Sequence, residues 1–104
     1  MEIILIHKAR GIFSPELLKT NIEFGKTIKP GASKAVPGGN LVSSYMARGK
    51  MLIFCVWDVP KIESLTLLLE QMTLLGWDTE VIPVEKSQDA TRDLEKVLAE
   101  MTKK

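Results

Sequence analysis

The sequence predicts an α+β fold: one antiparallel sheet with helices packed on one of its faces. Three observations lead there. Residues 3–6 and 51–57 are short apolar runs, too short for helices and greasy on both alternating sides. Two further strand-like stretches, 41–47 and 79–84, are more polar or carry a proline. Between these stretches apolar residues recur at three- and four-residue spacing, the helical period. The order that results is β-α-β-β-α-β-α.

Residues 51–57, Met-Leu-Ile-Phe-Cys-Val-Trp, are the centre of the pattern. Side chains alternate along a strand, so Met51, Ile53, Cys55 and Trp57 face one way and Leu52, Phe54 and Val56 the other. Residues 2–8 form the first strand, with Ile3, Leu5 and His7 opposed to Ile4, Ile6 and Lys8. Then Ser14-Pro15-Glu16 starts a helix: Ser14 caps a free amide, Pro15 suits the first helical position, and Glu16 suits the positive end of the dipole. Leu17, Leu18, Asn21, Ile22, Gly25 and Ile28 give that helix one stripe, and Lys29-Pro30-Gly31 stops it. Residues 32–40, with Pro37-Gly38-Gly39-Asn40, show no period and read as a mobile loop.

Residues 41–47 read as an edge strand, with Leu41, Ser43, Tyr45 and Ala47 on one side and Val42, Ser44 and Met46 on the other. Arg48-Gly49 links it to residues 51–57 as a hairpin. Asp58 is placed as the cap of a second helix carrying Ile62, Leu65, Leu68, Leu69, Met72 and Leu75, which Gly76 ends. Pro83 puts residues 79–84 at the other edge, because proline gives no proton to a ladder. Ser87 or Asp89 caps a third helix, about 88–102, with Leu94, Val97, Leu98 and Met101 at helical offsets.

Right-handed crossovers over one face fit a sheet of order 4-1-3-2, the ferredoxin-like βαββαβ plan with an added C-terminal helix. It places the two apolar strands in the centre and the polar and proline-bearing ones outside. A single domain over residues 1–104 is expected at this length. Helices on one face leave the other bare, with several Ile, Leu, Val or Phe side chains on it. Either the third helix folds back over it or a second copy packs face to face; the short third helix follows an edge strand, so the second copy is the expected cover, giving a homodimer through the open sheet face.

Composition excludes several functions. Apolar residues make up 45% and charged ones 26%, with a net charge of +1, so no basic field recruits nucleic acid or an anionic membrane. No apolar run reaches the roughly 18 residues of a membrane span. Strand residues begin at once with no leader pattern, and the one cysteine makes no internal disulfide or thiolate zinc site. A cytoplasmic protein with no cofactor and no metal is therefore expected.

The run from Gly49 through Trp57, then Asp58-Val59-Pro60, the leucine-rich helix and Trp77-Asp78-Thr79-Glu80-Val81-Ile82-Pro83-Val84 resembles the second half of small bacterial and archaeal domains of unknown function. Those belong to the dimeric α/β-barrel type of ferredoxin-like fold. The resemblance covers residues 41–84, while the first half agrees only in strand-helix order. It implies a homodimer whose two sheets form a barrel. Related barrels include muconolactone isomerases and cofactor-free monooxygenases, but none of their catalytic motifs falls on this sequence, so no activity transfers.

Among candidate residues, His7 is the only histidine and a candidate general base, but at a strand end it reads first as a half-buried, hydrogen-bonded ring, and no partner lies at metal-ligand spacing. Cys55, inside the apolar strand, reads as a core residue rather than a reactive thiol. Trp57-Asp58 and Trp77-Asp78 repeat a dipeptide, yet the two tryptophans belong at opposite ends of the sheet. Gly25-Lys26-Thr27 mimics the end of a phosphate loop, but position 20 is Thr and the context is helical. A small apolar ligand is expected between sheet and helices, opened by the 37–40 loop, with His7, Asn40 and Tyr45 as its polar contacts. The expected function is a homodimeric binding or accessory module without catalysis. The alternative is a cofactor-independent isomerase or monooxygenase with His7 as base; a dimer using His7 as haem ligand is a weaker third.

Overall fold

The computed structural model describes residues 1–28, 31–47 and 49–103. Its elements are β1 (Glu2–Ala9), α1 (Pro15–Thr27), β2 (Gly31–Ser33), β3 (Val36–Met46), β4 (Leu52–Asp58), a short 3-10 turn (Ile62–Leu65), α2 (Thr66–Leu74), β5 (Trp77–Val84) and α3 (Ser87–Thr102). The fold is α+β. The five strands form one antiparallel sheet in the order β2-β3-β4-β1-β5, compatible with a ferredoxin-like arrangement. It differs from a four-stranded plan by the extra edge strand β2, which puts β3 inside the sheet and not at the expected edge.

Helix α1 starts as its sequence dictates: Ser14 Oγ accepts the Leu17 amide at 3.1 Å and Pro15 takes the first position. The expected stop at Lys29-Pro30 lies outside the described residues, as does Arg48 of the β3–β4 link. Gly76 closes α2 with φ +97, and a Cβ there would come within 2.8 Å of Phe13 Cε1, so conformation and packing both ask for glycine. Its carbonyl accepts the Arg10 amide at 2.9 Å, which ties the α2–β5 turn to the end of β1.

Three expectations need correcting. Residues 36–40 are not a loop but the first part of β3, because Gly31 and Ala32 pair with Leu41 and Asn40 and give this segment a ladder partner. Asp58 does not cap α2. It ends β4, and its carboxylate meets the Met1 amino nitrogen at 3.3 Å, while the 3-10 turn intervenes before the helix. Neither Ser87 nor Asp89 caps α3: the cap position is Lys86, with no side-chain bond.

A further difference lies within β3. Its register against β4 shifts between Leu41 and Ser43, so that Leu41 opposes Trp57 but Ser44 opposes Cys55 and Met46 opposes Ile53. A bulge of one residue moves every later side chain to the other face. Ser44 and Met46 therefore join Leu41 on the helix side, and Ser43 and Tyr45 turn to the open side.

The core lies between the sheet and α2. It is built from Ile3, Leu5, Trp57, Leu65, Leu68 and Trp77, with smaller side chains around them. On the opposite face Ile4 and Ile6 of β1 align with Val56 and Phe54 of β4, and Ile4 also with Ile82 of β5. These five belong to neither the core nor the side chains packed on it. Helix α3 does not fold back over them. It buries none of its residues, and Leu94, Val97, Leu98 and Met101 are all exposed. The radius of gyration is 17.1 Å, against about 13 Å for a compact chain of this length, and the longest dimension is 62 Å.

Candidate functional site

The inner face of the sheet carries one row that ends in polar groups: Met46, Ile53, His7 and Thr79 lie side by side on β3, β4, β1 and β5. His7 follows Ile3 and Leu5 by the two-residue period of β1, so a strand that starts apolar delivers an imidazole under the helices. Above this row α1 stands off the sheet. None of its residues is fully buried: Leu17 and Phe24 pack against the core, and the stripe also lines a cavity of about 300 Å³. Leu18, Ile22, Phe24 and Ile28 form the roof, Leu68 and Met72 of α2 the wall, and Ile53, Cys55 and His7 the floor. Gly25 lines the roof as well, and a Cβ added there would meet no atom within 4 Å. A cavity of this size, mostly apolar with few polar groups, has the character of a small-molecule site.

His7 is 1% exposed. Its Nδ1 lies 2.7 Å from Thr79 Oγ1, and Nε2 has no partner among the described residues. Burial strips water from the ring and lowers its pKa from 6.5 to about 4, so the imidazole is neutral at pH 7. Cys55 also borders the cavity. Burial raises its thiol pKa, with the Ser44 hydroxyl 3.5 Å away opposing the shift, so a thiolate is disfavoured.

Asn21 is the residue that sequence reasoning missed. Its Nδ2 donates to the carbonyls of Leu17 and Leu75, each at 3.0 Å, and its Oδ1 accepts Trp77 Nε1 at 2.7 Å. One amide thus joins α1 to the end of α2 and the start of β5, and it holds the roof of the cavity at its height. The signal was present in the sequence: a polar residue inside an otherwise apolar helical stripe. Trp77 also stacks edge-on with Phe13 at 5.3 Å between centroids. Trp57 lines the far end of the same cavity, wholly buried, with an indole N–H that finds no acceptor among the described residues. The two tryptophans oppose Ile3 and Ala9 of β1, so they sit at opposite ends of the sheet, and the cavity reaches both.

The three sequence candidates do not come together. Tyr45 is 66% exposed, opposite Phe54 on the open face, where the β3 bulge sends it. Asn40 is exposed and pairs with Asp58, well along the sheet from His7. The cavity opens at the other end from residues 37–40, past the exposed side chains of Leu18, Ile22, Met46 and Met51. Among the described residues no group of three His, Cys, Asp or Glu side chains is placed to hold a metal ion. None of the described helices is long and apolar enough to cross a membrane. No family model, no curated protein and no solved structure matches this chain.

Proposed function

We propose that this protein is a small cytoplasmic binding module that holds an apolar small molecule between its sheet and its helices. The observation that carries this reading is the cavity of about 300 Å³, apolar on nearly every side and open at one end, with one neutral imidazole on its floor. The same ring weighs for binding over catalysis. A general base works best with a pKa near the operating pH, and His7, at about 4, lies well below it. Its orienting partner is a hydroxyl, not a carboxylate that would stabilise an imidazolium.

In this proposal the module is a ferredoxin-like homodimer of the dimeric α/β-barrel type. Two copies meet through the open sheet face, where Ile4, Ile6, Phe54, Val56 and Ile82 lack cover from the chain's own helices. An apolar face of this kind is a contact surface in most proteins that carry one.

Methionine methyl groups test the binding reading. Met46, Met51 and Met72 line the cavity, whereas Met1 and Met101 are exposed elsewhere. With ¹³C-methyl methionine, titration with indane is expected to shift the first three signals saturably and leave the other two in place. Five unmoved signals, or five that move alike, would overturn the proposal.

A further inference from the structure

The polar atoms that the cavity leaves unpaired point to a class of ligand, an inference that rests on the binding reading above. Thr79 Oγ1 has one hydrogen-bond partner among the described residues, the Nδ1 atom of His7 at 2.7 Å. With the hydroxyl donating to the Nδ1 lone pair, the ring proton of the neutral imidazole sits on Nε2. Nε2 has no partner among the described residues and belongs to a ring that borders the cavity. Of the other polar groups there, Asn21 uses both its donor and its acceptor on the fold, and the Ser44 hydroxyl lies 3.5 Å from Cys55 Sγ. The indole N–H of Trp57 is a second donor without an acceptor. Among the described residues no charged side chain lines the cavity.

A buried donor left unpaired costs free energy, and an acceptor that reaches it recovers that cost. A charged ligand would lose its water and meet no counter-ion among the described residues. We propose that the cavity takes an uncharged, largely apolar molecule bearing a carbonyl-type oxygen, which accepts the Nε2–H of His7. Selectivity then comes from one hydrogen bond on an apolar floor, with amines and other cations rejected.

The test uses three probes of one shape, indane, 1-indanone and 1-aminoindane, titrated into the full chain by calorimetry at pH 7. Indanone is expected to bind about tenfold tighter than indane, the worth of one recovered hydrogen bond, and aminoindane at least about tenfold weaker than indane. A long-range ¹H–¹⁵N spectrum of the only histidine gives a second readout, expected to show Nε2 protonated and to shift with indanone. Binding of indane decides the binding reading, and the ratio of indanone to indane decides the ligand class. Equal affinities, a preference for the amine, or a ring protonated on Nδ1 would each overturn the ligand class while leaving an apolar site. Failure of all three probes to bind would remove both.

Discussion

His7 Nδ1 lies 2.7 Å from Thr79 Oγ1, side chain to side chain across the β1–β5 ladder. The pair turns a buried polar ring into a satisfied one on that side and fixes which nitrogen faces the cavity. Thr79→Val keeps the shape and removes the hydroxyl. It should cost about 1–2 kcal/mol in urea unfolding, the penalty of a buried acceptor left unpaired. Thr79→Ser should cost clearly less than Thr79→Val, because the hydroxyl survives. Equal losses for the two variants would mean that the bond contributes nothing.

Asn21 holds three partners on two other elements and its own helix. Asn21→Leu leaves the Trp77 indole proton and the Leu75 carbonyl to find water or go without. A loss of about 2–3 kcal/mol is expected from equilibrium unfolding. Trp77 fluorescence should move toward the exposed range, since α1 loses its tie above that ring. A variant as stable as the parent would show that the amide is not what positions the roof.

Gly25 sits inside α1 at ordinary helical angles and borders open space. Alanine there should raise stability by roughly 0.5–1 kcal/mol, since glycine spends more backbone entropy in a helix. Gly25→Leu should project into the cavity and weaken indane binding, read from the Met46, Met51 and Met72 signals. Stabilisation by alanine without any effect of leucine on binding would place the probe elsewhere.

The proposed dimer predicts that a charge in the middle of the open face separates the copies. Ile6→Lys should sediment as a monomer where the parent sediments as a dimer, with the helical signal in circular dichroism retained. Ile6 lies outside the core cluster, so the folded chain should accept the change. Parent protein that is monomeric at every concentration tested would end the dimer reading.

Much of the architecture was readable because each element agreed with its own period. Ser14 and Pro15 opened α1, Gly76 closed α2, and the doubly apolar strands took the interior of the sheet. What escaped reading was set by contacts outside the segment concerned. The bulge near Val42 depends on how β3 docks against β4, and nothing local in Leu41-Val42-Ser43 announces it. That single shift sends Tyr45 away from the cavity and brings Ser44 and Met46 into it. Pro37-Gly38-Gly39 carries every mark of a loop, yet the short β2 ladder makes it the start of a strand. Of the candidate site, His7 was legible as the lone histidine, whereas which sheet face meets the helices was not, and the Asn21 bridge required the end of α2 and the start of β5 to be placed first.

The ligand class and the floor of the cavity depend on His7 being a neutral ring kept from water. Burial lowers its pKa from 6.5 to about 4, below that of the unfolded chain, so the unfolded form takes up the proton first as pH falls. The stability contributed by the neutral ring is therefore complete above about pH 6.5 and lost on descent to about pH 4, a change of about 3 kcal/mol that His7→Gln should remove. The most direct measurement is an NMR titration of this histidine in the folded protein. A midpoint near 4 is the expected result, and a midpoint near 6.5 would place the ring in water and contradict the buried floor on which the binding site is built.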